Sequence, residues 1–311
     1  MFAEDIYTLS TPYREDMSVK GYHFGKGEQS ACIIGPMRGK GVQQMYICSQ
    51  LVKTLKELES NGCICSGREV MVIPVVNSYS MNIGTHFFGV EGEDINCQFP
   101  GRAYGDTAEQ IAAAVFNRIK DYSFGIQLTA FHMAGESVPH IRMVENGYQN
   151  SSLANLFGLP FVVVKKARPI DTKSLNYNWQ SMQTAAFSLY TDSNEKVSVK
   201  SAKQALAAIL RFLTRMGIIR YESHSGFISH VLKEKDLTAV HTMCGGIFRR
   251  KAKVGQDIRY GDAMAEIIDP YRGNIKETIL APTDGIVFFA HSESLIAEGD
   301  LAYYLVHRLH E

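Results

Sequence analysis

Four short apolar runs, Ala31–Ile34, Val70–Val76, Phe124–Phe131 and Pro160–Lys165, punctuate the first two thirds of the chain. The stretches around them repeat their apolar residues at helical spacing. Met45, Cys48, Leu51, Val52, Leu55 and Leu58 fall at three- and four-residue steps, as do Ile111, Val115 and Ile119 within Thr107–Lys120, and Leu206, Ile209, Leu210 and Leu213 within Ala202–Met216. Buried strands alternating with amphipathic helices predict an α/β domain, its mostly parallel sheet flanked by helices. After about Glu222 the pattern changes to short β segments between glycine and aspartate turns, as in KVGQDIRYGDAMAEIID and APTDGIVFFAHSES. That rhythm predicts a separate all-β module. The expected division is therefore an α/β domain over residues 1–222 and a β module over 223–311.

Charge excludes some partners. Lysine plus arginine and aspartate plus glutamate number 32 each, so no overall field draws the chain to nucleic acid or to an anionic membrane. No apolar run approaches the length of a membrane span, and the N-terminal residues carry early acids rather than a signal-length apolar core. Six cysteines are scattered, with only Cys63 and Cys65 close, as C-x-C without a second pair or a nearby histidine. This is poor zinc spacing and reads as reduced thiols, which points to a cytoplasmic protein.

Three stretches carry the chemistry: PMRGKG after the first buried strand, IPVVNSYSMNIGTHFFGVEGEDINCQFPG from Ile73 to Gly101, and FGIQLTAFHMAGESVPHIRM from Phe124 to Met143. Together they resemble the succinylglutamate desuccinylase/aspartoacylase family within the zinc-carboxypeptidase superfamily. Asp94-Ile95-Asn96-Cys97-Gln98-Phe99-Pro100-Gly101 matches that family's Asp-Leu-Asn-Arg-x-Phe-Pro-Gly element at all but one distinctive position, and Asn77-Ser78 stands at its Asn-Pro. The resemblance implies a zinc-carboxypeptidase-like α/β domain over 1–222. It also implies a metal-dependent hydrolase of N-acyl amino acids, with two histidines and a glutamate holding zinc and a further glutamate moving the proton.

The residues at those positions differ. Arg38 stands at the first histidine, Gly41 at the glutamate, and Thr129 at the second histidine. Tyr190 stands near the general-base glutamate, and Cys97 at the arginine that clamps a substrate carboxylate. A guanidinium has donors only and no lone pair for a cation. The reading is therefore a divergent member that expects no cofactor and takes a small carboxylate or other anionic metabolite into the old active site. Arg38 and Lys40, beside the backbone N–H groups that open the next helix, suit an anion; an internal ion pair of Arg38 with Asp94 or Glu93 is the competing arrangement. The pocket candidates are Arg38, Lys40, Asn77, Asp94, Asn96, Cys97, Thr129 and His132. His86 reads as a polar contact.

Two alternatives stand beside this reading. His132, Glu136 and His140, spaced H-x3-E-x3-H in a loop interrupted by Gly135 and Pro139, are a fallback zinc set for a working amidohydrolase or carboxypeptidase. An oligomeric scaffold without a small ligand is the other. Cys97, a thiol beside a cationic loop, would have a depressed pKa and act as a nucleophile, although no histidine partner is identifiable. G-x-x-x-G-K-G falls one residue and one hydroxyl short of a nucleotide-binding loop. The module over 223–311 resembles the barrel-sandwich fold of biotinyl and lipoyl carriers, but Lys276 lacks the neighbours of a modified lysine. Its expected role is to cover the pocket mouth or to make an oligomer contact.

Overall fold

The computed structural model describes residues 1–10, 15–89, 92–192 and 196–307. The chain divides into two compact units, the first comprising Met1–Ala130 and Pro139–Val231, the second Phe131–Val138 and Leu232–Glu311.

The first unit is built on a nine-stranded sheet. Its strands are β1 (Phe2–Leu9), β2 (Met17–Gly25), β3 (Gly27–Ile34), β4 (Gly67–Ile73) and β5 (Phe124–Thr129). After β6 (Gly135–Ser137), which belongs to the second unit, come β7 (His140–Glu145), β8 (Phe161–Lys166), β9 (Ala185–Tyr190) and β10 (His230–Lys233), within which the division between units falls. The order across the sheet is β1-β2-β4-β3-β5-β9-β7-β8-β10. The middle strands β4, β3, β5 and β9 are parallel, whereas β1, β2 and β4 pair antiparallel in succession and β7 runs antiparallel to β9. The sheet is thus mixed, parallel at its centre.

Pleating explains the two faces. In β3, Ala31 and Ile33 turn toward helices α1 (Val42–Ser60) and α6 (Val199–Arg215), while Cys32 and Ile34 turn to the other side. Short α2 (Ser78–Ile83) follows β4. The other face is covered by α3 (Thr107–Ile119) and, beyond single-turn α4 (Ser151–Ala154), by α5 (Leu175–Ser181). A strand buried on both sides must be apolar at successive positions, which is how this one reads. A capping box starts α3: Asp106 accepts from the Glu109 backbone N–H at 2.8 Å, and the Glu109 side chain accepts from that of Asp106 at 3.2 Å. Helix α1 departs from the sequence pattern in its first turns. Ile47, with Gln43 and Gln44, is buried there, and Met45 is exposed.

The second unit contains β6 and β11 (Leu237–His241), β12 (Gly246–Arg250), β13 (Asp257–Ile258), β14 (Ala263–Ile268), β15 (Ile275–Leu280), β16 (Gly285–His291), β17 (Leu295–Ile296) and β18 (Leu301–His307). They form two antiparallel sheets, β11-β18-β16-β13 with β6 added beside β16, and β15-β14-β12-β17. Phe248, Met264, Ile267, Val287, Tyr303 and Leu305, drawn from both sheets, share one core. The boundary lies after Val231 rather than at 222 for a local reason. Residues 224–230 bond back to the first unit: Arg211 Nε donates to the His224 carbonyl at 2.6 Å, and the Phe227 and His230 N–H groups donate to the Gly158 and Pro160 carbonyls at 2.9 Å each.

Candidate functional site

The loop from Gly35 to Gly41 leaves the carboxyl end of β3 at the centre of the sheet, where an open α/β sheet places its ligands. The loop is held from several sides. The Gly35 N–H donates to the Ile73 carbonyl at 2.8 Å, the Val76 N–H to the Pro36 carbonyl at 3.1 Å, and the Gly39 N–H to the His86 carbonyl at 3.0 Å. Two glycines are required by close approach. A Cβ on Gly39 would stand 2.1 Å from the Thr85 carbonyl oxygen, and one on Gly41 would stand 2.2 Å from the Cβ of Pro36.

This loop and the end of β5 line a cleft that is open to solvent. Arg38, Lys40, Gly41, Gln44, His86, Asn96, Gln127 and Thr129 supply its polar surface, and Met37 and Leu128 are among the apolar residues beside them. No carboxylate and no thiol is among the described residues that line it.

Arg38 is engaged. Its Nε and Nη2 donate to Asp94 Oδ2 at 3.2 and 2.6 Å, and its guanidinium lies 6.0 Å from the Phe87 ring centroid. Burial opposes the charge of Arg38, but the hydrogen bonds and charge of Asp94 outweigh that and raise its pKa. Asp94 also starts the short 3-10 helix Ile95–Cys97, its Oδ1 accepting from the Asn96 N–H at 3.1 Å. Of the two carboxylates expected to compete for Arg38, the structure selects Asp94. Nη1 of Arg38 has no hydrogen-bond partner among the described residues.

Below the cleft runs a row of amides. Gln127 Nε2 donates to Asn96 Oδ1 at 2.8 Å, and Asn176 Nδ2 donates to Gln127 Oε1 at 3.0 Å and to the Ser188 hydroxyl oxygen. At the start of α1, Gln44 Nε2 donates to Thr191 Oγ1 at 2.7 Å and Gln43 accepts from the Ser198 N–H at 2.9 Å, tying the helix to the segment after β9.

The candidates separate accordingly. Arg38, Lys40, Asn96 and Thr129 line the cleft. Asn77 is fully buried, caps α2 through the Ser80 N–H at 3.0 Å and donates to the Met37 carbonyl at 3.3 Å, so it shapes the loop from beneath. Asp94 and Cys97 stand behind Arg38, outside the lining. His132 is an exposed residue of the second unit. Glu136, on β6, forms an ion pair with Arg250 at 2.8 Å. His140 is buried in β7, its ring stacked on Tyr190 at 4.8 Å. Among the described residues no three His, Cys, Asp or Glu side chains are grouped so as to hold a metal ion.

The depressed pKa expected at Cys97 is corrected. Burial pushes its thiol up to about 11, and Asp94, whose Oδ2 accepts from the thiol at 3.6 Å, adds to the rise more than Arg38 opposes it. The carboxylate beside Arg38, which the cationic loop alone does not reveal, reverses the sign. Iodoacetamide at pH 8 is therefore expected to modify Cys97 about 100-fold more slowly than an ordinary exposed thiol. Peptide mapping would check this, and labelling at the ordinary rate would contradict the assignment.

Gln44, Gln127 and Asn176 are not among the candidates that the sequence yields. Gln127 is visible there only as the first residue of the element that ends at Thr129. Nothing in the sequence marks the other two, because their meaning lies in side-chain partners far along the chain.

The lining does not fit a catalytic zinc. Such an ion needs three protein ligands carrying lone pairs. Arg38 brings a fixed cation, Thr129 a hydroxyl, Gly41 no side chain, and the Pro36 ring fills the space that a Cβ at 41 would take.

No protein-family model matches the chain, and no curated protein matches it in sequence. Solved structures do. The product-bound ectoine utilization protein EutE (DoeB) from Ruegeria pomeroyi matches with a TM-score of 0.81 at 16% identity, over 99% of this chain and 95% of that chain. Succinylglutamate desuccinylase/aspartoacylase from Rhodobacter sphaeroides matches at 0.78 and 19%, over 96% and 92%. An aspartoacylase family protein from Mesorhizobium loti matches at 0.74 and 18%, over 96% and 91%. The fold is that of the succinylglutamate desuccinylase/aspartoacylase structures. The likeness read from D-I-N-x-x-F-P-G therefore holds for the fold. No helix among the described residues is long and apolar enough to cross a membrane.

Proposed function

We propose that this chain is a divergent member of the succinylglutamate desuccinylase/aspartoacylase family that has lost the zinc triad and binds a small anionic metabolite, such as a dicarboxylate or an N-acyl amino acid, in the old active site. One observation carries the reading. Arg38 Nη1 and Asn96 Nδ2, both reachable from solvent, are without hydrogen-bond partners among the described residues, and no carboxylate is among the described residues that line the cleft they border. Two donors, one of them on a guanidinium, with a lysine in the same lining, favour an acceptor with negative charge. The neighbours' names support the class: one is an ectoine utilization protein solved with product, and another a desuccinylase/aspartoacylase. The second unit, with its two antiparallel sheets around one core, is read as a biotinyl/lipoyl-like barrel sandwich without a modified lysine. Lys276 donates instead to the Gly245 carbonyl at 2.7 Å.

An active enzyme with zinc on His132, Glu136 and His140 gains no support, since these residues do not gather. The scaffold reading has no observation in its favour. A thermal-shift screen with succinate, N-acetylaspartate and phosphate tests the proposal. At 100 times the dissociation constant, a bound ligand adds about 2.7 kcal/mol, roughly 5–10 °C for a unit of this size. No shift with any of the three at millimolar concentration would count against an anion site.

A further inference from the structure

We infer that Gln127 and Asn176 are positioning residues that set the polarity of the cleft floor by fixing which end of the Asn96 amide faces the ligand. The inference deepens the anion-binding reading and rests on it for the identity of the ligand, though not for the arrangement itself.

An asparagine amide has a donor end and an acceptor end of nearly the same shape, so its orientation is decided by what it meets. Asn96 Oδ1 accepts from Gln127 Nε2 at 2.8 Å. That bond turns Asn96 Nδ2 outward, and Nδ2 meets no partner among the described residues although Asn96 lines the cleft. Gln127 is itself two-ended and buried, 6% exposed. Its Oε1 is held by Asn176 Nδ2 at 3.0 Å, and its Nε2 also points at Met37 Sδ at 3.7 Å, an acceptor. Reversing Gln127 would set its carbonyl against that sulfur and against Asn96 Oδ1, and would bring two N–H ends together at Asn176.

Asn176, 5% exposed, lies on α5 outside the lining and donates as well to the Ser188 hydroxyl oxygen on β9. Polarity thus passes from α5 through β5 to the 3-10 helix Ile95–Cys97, each amide handing its donor forward. The end result is a neutral N–H donor beside the Arg38 guanidinium. A ligand's carboxylate oxygen satisfies both, whereas a ligand group that only donates leaves Asn96 Nδ2 and Arg38 Nη1 unmet. Reversing Gln127 alone sets like ends together in a desolvated place, and that cost holds its orientation; Asn176 Oδ1, at the far end of the row, is buried without a partner among the described residues.

The first test uses no ligand. In 15N-labelled protein, side-chain NH2 exchange is expected to be slow at Gln127 and Asn176 and fast at Asn96. A protected Asn96 amide would overturn the inference. The second test is succinate titration. Gln127→Glu offers two acceptors, so Asn96 turns its N–H inward and its carbonyl outward, and succinate binding is expected to fall at least 30-fold. Gln127→Met and Asn176→Ala, which add no charge, are expected to weaken succinate three- to tenfold with Arg38 untouched.

The conservative Asn176→Gln is expected to restore part of the affinity lost in Asn176→Ala, which a merely structural role would not do. If both uncharged variants bind succinate as the wild type does while Arg38→Met does not bind, the amide relay is wrong and the anion site stands. If the wild type binds no succinate, the exchange pattern still decides the relay and only the anion reading falls.

Discussion

Gly41→Glu is expected to destabilise the protein by about 1–3 kcal/mol or more, as overpacking does in a close-packed region, a fall in melting temperature of roughly 2–12 °C. The cause is the first side-chain atom. A Cβ at position 41 meets the Pro36 Cβ at 2.2 Å and its Cγ at 2.9 Å, and a proline ring cannot swing aside as the end of a long side chain can. Gly41→Ala carries the same Cβ and should show most of the same loss, although alanine lowers unfolded-chain entropy and would otherwise stabilise by about 0.4–1 kcal/mol. A rise in melting temperature for Gly41→Ala would mean that the loop yields and the steric argument fails.

The consequence is chemical. Arg38→His/Gly41→Glu/Thr129→His, which restores the three ligand types, is expected to carry no stoichiometric zinc in elemental analysis, because the carboxylate has no room at its own position. About one zinc per folded chain would show that the frame is merely disarmed.

Arg38→Met is expected to abolish measurable succinate binding, a loss of at least 30-fold, whereas Asp94→Asn retains or strengthens it. Both variants break the same ion pair, so both should cost stability, on the order of 1–3 kcal/mol for a partly buried charged hydrogen bond left without its partner. Binding separates them. Removing Arg38 removes the guanidinium from the cleft lining and leaves Lys40 as the cation there. Removing the charge of Asp94 frees that cation from its internal partner, and the amide oxygen introduced by Asp94→Asn can still accept from the Asn96 N–H. Isothermal titration of both single variants and the double variant would give the coupling directly. Equal loss in both would mean that the pair serves only to hold the loop and the 3-10 helix together, with no role for Arg38 in binding.

The helices and strands that position this site are legible wherever they are long and periodic. Strand β3 reads as a continuous apolar run because both of its faces are buried, and α6 shows its inward stripe from Ala202 to Leu213. Less is visible at the edges. Strands β1 and β2, half-exposed, carry too mixed a pattern to stand out, and Phe131–Val138 leaves the first unit because β6 finds its hydrogen bonds on β16. On α1 the apolar spacing points inward with Met45, whereas the fold buries Gln43 and Gln44 at that end, where Gln43 Oε1 accepts from the Ser198 N–H and Gln44 Nε2 donates to Thr191, both far along the chain.

By itself the sequence determined which chemistry the loop after β3 and the end of β5 can bring. Residue identity is enough to say that Arg38, Gly41 and Thr129 provide a fixed cation, an empty position and a hydroxyl, and that none is a usual zinc ligand. The order of D-I-N-x-x-F-P-G and its neighbouring elements was enough to indicate the fold. Tertiary structure alone decided partners and signs. Asp94, fifty-six residues from Arg38, neutralises it and raises the Cys97 pKa instead of leaving the thiol to a free cation. Gln127 and Asn176 orient an amide on a third segment. Hydrogen bonds and charges act over a few ångströms of space, and only the folded chain brings these segments within that range.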